Sequence, residues 1–150
     1  MNRKESMHFE EVLNNLENGT VRSANFINGH WVANTEIKTF ILEAFKAGTL
    51  KEENGFVDKH TLMPQKFTVE RGVRFVPGGS SVRRGSYIAK GVIVMPPSYI
   101  NVGAYIDEGT MVDSHVLVGS CAQIGKTCAL INSGTNRRCF RAGWGFASRN

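Results

Sequence analysis

Three hydrophobic rhythms follow one another along the chain. Phe9, Val12, Leu13 and Leu16 recur at helical spacing, with Ser6 ahead of them as a candidate N-cap and Gly19 as the stop. Residues 24–33 predict a β-hairpin, because Phe26-Ile27 and Trp31-Val32 flank Asn28-Gly29, a pair suited to a type I′ turn. Helical spacing returns over Thr35–Ala47, where Ile37, Phe40, Ile41, Ala44 and Phe45 face inward and Gly48 ends the segment. Residues 49–75 are polar and turn-rich and predict no definite element.

The third rhythm is different in kind. From Val76 every sixth residue is aliphatic: Val76, Val82, Ile88, Val94, Ile100, Ile106, Val112, Val118, Ile124 and Leu130. Four residues after each member stands a small or β-branched one, among them Ser80, Ser86, Val92, Ser98, Ala104 and Thr110. Neither the helical nor the strand period produces this, whereas a hexapeptide β-helix does. Each unit supplies one short strand and one turn, and three units close a triangular coil of about eighteen residues. A single coil cannot bury its apolar face, so stability comes from stacking. Gly85, Gly91, Gly103 and Gly109 precede the small residue, where a permissive backbone eases the corner, and Pro97 takes one such place. The expected fold is an α+β cap over residues 1–75, then a left-handed parallel β-helix of about three coils over residues 76–130. The period fails beyond Leu130, so residues 131–150 read as a tail foreign to the repeat.

Composition narrows the classes. The formal net charge is +5, but four of the eighteen basic residues (Arg137, Arg138, Arg141 and Arg149) lie in the last fifteen, which hold no acid. Residues 1–135 are nearly neutral and carry no electrostatic footprint for nucleic acid. No apolar run reaches the length of a membrane span and no leader opens the chain, so neither a membrane nor a nucleic-acid partner is expected. Cys121, Cys128 and Cys139 form no CxxC pair, and their odd number argues against a disulfide framework, which fits the cytoplasm. His115 stands alone in the repeat region and cannot build a three-histidine zinc site, so no metal is expected. Cys121 takes a glycine-like corner position and reads as structural, and Asp107 and Glu108 read as solvated turn residues.

One stretch is far more specific than the period. Residues 99–126, YINVGAYIDEGTMVDSHVLVGSCAQIGK, preceded by Met95-Pro96, resemble the tetrahydrodipicolinate N-succinyltransferases, hexapeptide-repeat acyltransferases of the diaminopimelate route to lysine. The upstream RGVRFVPGGSSVRRGSYIAKG (residues 71–91) and LENGTVRSANFINGHWV (residues 16–32) resemble the same family. The resemblance implies transfer of a succinyl group from succinyl-CoA to the amine of the ring-opened substrate, by direct attack and without an acyl-enzyme. It implies no bound cofactor, succinyl-CoA as co-substrate, and a homotrimer with sites between neighbouring prisms.

By the same resemblance, Arg74 contacts the dicarboxylate substrate and Asp113 stands near its amine, to orient it or accept a proton. A guanidinium fork pairs a carboxylate bidentately, as lysine does not. From the residues alone, Arg74 reads first as a surface arginine at the cap–coil junction and Asp113 as a solvated turn carboxylate, which only the DEGTMVD context lifts above that reading. The period by itself also fits another acyl-CoA-dependent hexapeptide acetyltransferase, or a non-catalytic β-helix trimerisation module, neither of which predicts DEGTMVD or GSCAQIGK.

After Lys126 the chain departs from the family, whose next residues run roughly NVHLSAGTQIGGVLEP. Codons exist for residues 136–147 that, with CA prefixed and read in the shifted frame, give QIGGVLEPVGAS. This implies a frameshift near Thr135 and a truncated copy. The coils expected to hold most of the CoA contacts are then missing, and the 150-residue chain is expected to be inactive.

Overall fold

The computed structural model describes residues 3–132, the first six of them by backbone path alone. Helix α1 (Arg3–Glu17) buries Phe9, Val12, Leu13 and Leu16 as one stripe. It begins ahead of Ser6, which is therefore inside the helix and not its cap. Gly19, at φ +78°, closes it with its N–H on the Leu16 carbonyl. Strands β1 (Ala24–Ile27) and β2 (His30–Ala33) form the expected antiparallel hairpin, with Asn28 and Gly29 both at positive φ. Helix α2 (Thr35–Ala47) is capped by Asn34, whose side chain accepts the Ile37 N–H, and it packs Ile37, Ile41 and Ala44 against α1. The unassigned stretch contains a second hairpin, β3 (Leu50–Glu53) and β4 (Phe56–Lys59), turning at Asn54-Gly55.

Ten two-residue strands follow: β5 (Arg74–Phe75), β6 (Ser81–Val82), β7 (Tyr87–Ile88), β8 (Ile93–Val94), β9 (Tyr99–Ile100), β10 (Tyr105–Ile106), β11 (Met111–Val112), β12 (Leu117–Val118), β13 (Gln123–Ile124) and β14 (Ala129–Leu130). They stack in parallel as three faces, ordered β5-β8-β11-β14, β6-β9-β12 and β7-β10-β13. This is the expected left-handed parallel β-helix of about three coils. The register stacks like on like, with Val82–Ile100–Val118 in one interior column and Ile88–Ile106–Ile124 in another. Burying each such side chain contributes roughly 1.5–3 kcal/mol, a gain available only with neighbours above and below.

The first unit departs from the period. Phe75, not Val76, pairs with Val94, and it stacks on Phe67 at 4.8 Å to plug the base of the prism. Val76 instead donates its N–H to the Val94 carbonyl, one place beyond the inward position. The extra residue before Val82 is absorbed by Gly78 and Gly79, both at positive φ. Elsewhere the corner holds its sixfold rule. Gly85, Gly91, Gly103, Gly109, His115, Cys121 and Thr127 all adopt positive φ, and Pro97 sits in the series after a cis Pro96–Pro97 bond.

The cap docks on one corner of the prism. Val102 belongs to the core made by α1, α2 and Leu62. A Cβ on Gly85 would meet Leu13 at 2.7 Å and Val102 at 2.9 Å, so glycine there admits the helix. Arg84 reaches Glu10 at 2.6 Å, and the Glu17 carboxylate accepts the Gly85 N–H at 2.8 Å.

Candidate active site

Arg74 and Asp113 lie on the same face of the prism. Arg74 opens β5 and pairs with Ile93, which pairs with Met111, two residues before Asp113. Strand spacing puts these rungs about 10 Å apart. Inward Phe75 and Val112 turn their chain neighbours Arg74 and Asp113 outward by the period-two alternation. Arg74 is exposed, and the two side chains form no ion pair with each other.

Asp113 is held firmly. Its N–H donates to the Leu130 carbonyl at 2.9 Å, and its Oδ1 accepts the Ser114 N–H at 2.8 Å. Asn101 and Asp107 occupy the matching place in earlier units and take the N–H of Val102 and Glu108 in the same way. One carboxylate oxygen of Asp113 thus fixes a turn, while Oδ2 remains for other work. An exposed guanidinium and a half-buried carboxylate on one flat face can engage an anionic group and an amine of the same ligand.

Other polar candidates are accounted for by packing. His115 has φ +62° and donates its N–H to the Pro97 carbonyl, which is a corner role. Cys121 is a free thiol at φ +62°, in the glycine-like corner as expected. Glu108 pairs with Lys126 at 2.9 Å, and that contact holds the Lys126 ammonium above its ordinary pKa. Among the described residues no three of His, Cys, Asp and Glu come together as a metal site, and no helix is long and apolar enough to cross a membrane.

Two shallow clefts lie beneath the β3–β4 hairpin. One is lined by Glu53, Phe56, Lys66 and Phe75, the other by Asp58, Ser81, Arg83 and Tyr99. Neither is lined by Arg74 or Asp113, which sit on open surface within one chain. Arg83 is clamped by an ion pair with Asp58, by the Leu62 carbonyl and by Asn101, with its guanidinium over Phe45.

The sequence reading missed a cluster on the third face. Tyr87, Tyr105 and Gln123 form one outward column, with the Tyr rings 4.5 Å apart and Arg22 laid on Tyr105 at 3.6 Å. Burial, then the nearby Asp107 carboxylate, raises the Tyr105 pKa above its ordinary value. The available signal was the eighteen-residue spacing of these three outward residues.

No family model matches the chain. Individual relatives do. It is 46% identical over 129 residues to the 2,3,4,5-tetrahydropyridine-2,6-dicarboxylate N-succinyltransferase of Acinetobacter baylyi, across 81% of this chain and 46% of that protein. It is 48% identical over 98 residues to the enzyme of that name from Legionella pneumophila, across 60% of this chain and 35% of that protein. The protein of that name from Sodalis glossinidius is 43% identical over 131 residues, covering 80% and 46%. The chain spans less than half the length of these relatives. Similarity this high over most of the cap and the coils makes the chain a relative of the tetrahydropyridine-dicarboxylate N-succinyltransferases.

Proposed function

We propose that the gene specifies an N-succinyltransferase that moves a succinyl group from succinyl-CoA to the amine of ring-opened tetrahydrodipicolinate, in the diaminopimelate route to lysine. The observation that carries this reading is 43–48% identity to several enzymes of that name. In the reaction the amine nitrogen attacks the thioester carbonyl, the C–S bond breaks, CoA leaves as the thiol and the amine gives up a proton. Arg74 pairs a substrate carboxylate through its fork, and Asp113 Oδ2 orients the amine or takes its proton. The open setting of both residues suits a cleft completed by a neighbouring prism, in a cytoplasmic homotrimer that needs succinyl-CoA as co-substrate and no resident cofactor.

The test is release of free thiol from succinyl-CoA, dependent on the amine acceptor, by the 150-residue chain and by a product whose reading frame is shifted near residue 135. Turnover by the frame-shifted product, lost in Arg74→Lys and Asp113→Asn, supports the reading. Equal use of acetyl-CoA would favour a different acyl donor, and no acyl-CoA use by either product would overturn the assignment.

A further inference from the structure

The chain between α1 and β1 climbs one face of the prism rung by rung. Gly19 lies so close to Tyr87 that a Cβ there would come within 2.8 Å of the ring. Arg22 stacks on Tyr105, one coil higher, with Trp31 of β2 at 5.5 Å from the guanidinium. Buried Ser23 donates its hydroxyl to the Gly103 carbonyl at 2.8 Å. Gln123, on the third coil, meets both cap residues: its Oε1 accepts from Arg22 Nε at 2.9 Å and its Nε2 donates to Ser23 Oγ at 2.9 Å. Its Nε2 also reaches the Cys121 carbonyl at 3.2 Å.

We propose that residues 19–23 are a strap keyed by Gln123, so that the β1–β2 hairpin and the third coil open and close together. Both strands are largely exposed, and a lone two-stranded hairpin is marginal in water. Its far end returns to the strap, where the Asn34 N–H donates to the Ser23 carbonyl at 2.8 Å. The Gln123 amide is buried, so an unstacked third coil strands the donors and acceptors of Arg22, Ser23 and Gln123 at once. A cap built this way senses whether the coil bearing GSCAQIGK has formed.

Hydrogen exchange on the full chain tests the strap. Gln123→Leu keeps the volume and removes both bonds, and Arg22→Lys keeps the charge but loses the stack and the Nε donor. Gln123→Leu is expected to speed exchange about tenfold over residues 24–33 and 121–124, while the amides of α2 keep their wild-type rates. Arg22→Lys is expected to speed residues 24–33 and 121–124 together, by about two- to threefold, and it carries the test if the first variant does not fold. Unchanged protection in Arg22→Lys, a rise confined to the hairpin, or an equal rise in every segment would overturn the coupling.

Discussion

The Asp113 carboxylate grips the Ser114 N–H at 2.8 Å, as Asn101 grips the Val102 N–H two six-residue units earlier. Asparagine and aspartate are therefore interchangeable for the turn at this position in the repeat. Asp113→Asn should leave the urea midpoint unchanged, whereas Asp113→Ala should lose about 0.5–1.5 kcal/mol by stranding the Ser114 N–H. Urea titration of both variants separates the turn role from the proton role. A succinyltransferase that survives Asp113→Asn intact would remove Asp113 from the chemistry.

Tyr105 gives the fold an alkaline signature. Its pKa is raised in the folded state, chiefly by burial, so above pH ~10 the unfolded chain releases a phenolic proton that the folded one still holds. The stabilisation is complete below that pH and is lost as pH climbs through the folded value. Lys126 titrates with the same sign, because Glu108 raises its pKa. Urea midpoints between pH 8 and 11 should fall with pH, and Tyr105→Phe should flatten the fall. An equally steep decline in the variant would assign the slope elsewhere.

Arg83 and Asp58 fasten the second hairpin to the prism. The guanidinium side chain is 15% exposed and the carboxylate 31%, so solvent screens the pair only in part. Arg83 also serves the Leu62 carbonyl and Asn101, bonds that remain when Asp58 is removed. Asp58→Ala should therefore cost about 1–3 kcal/mol and Arg83→Ala more, with chemical denaturation as the readout. A cost below about 0.5 kcal/mol for Arg83→Ala would show that the contact is decorative.

Most of the prism was legible because its period is unlike any other, and the inward columns from Val82 to Leu130 follow it directly. Val76 was misleading because it is aliphatic and in phase, while the chain spends one extra residue on Gly78-Gly79 and brings Phe75 inward. The β3–β4 hairpin escaped notice although Asn54-Gly55 repeats the Asn28-Gly29 signal. Its strands carry no alternation, since Leu50 and Val57 are exposed at 71% and 67%. The strap was illegible for another reason. Ser23 and Gln123 are a hundred residues apart, and only the coil register shows that Tyr87, Tyr105 and Gln123 share a column. Arg74 and Asp113 stood out through the resemblance alone, because an exposed arginine and a turn aspartate have no pattern of their own.

The corner positions predict opposite outcomes for one kind of substitution. Gly85 has φ +79°, and a Cβ there would strike Leu13 and Val102, which are buried on the cap–prism seam. Gly85→Ala combines a left-handed backbone cost of about 1–2 kcal/mol with overpacking of about 1–3 kcal/mol. His115 holds the same corner conformation at φ +62° but is exposed, so its strain is set by its own side chain alone. His115→Gly removes that strain and returns some of the gain as extra freedom of the unfolded chain, leaving about 0.5 kcal/mol of net stabilisation. Thermal melts should move down by several degrees for Gly85→Ala and up by a degree or two for His115→Gly, at about the scale expected for a domain of this size. A Gly85→Ala protein as stable as the parent would mean that the cap does not seat on this corner.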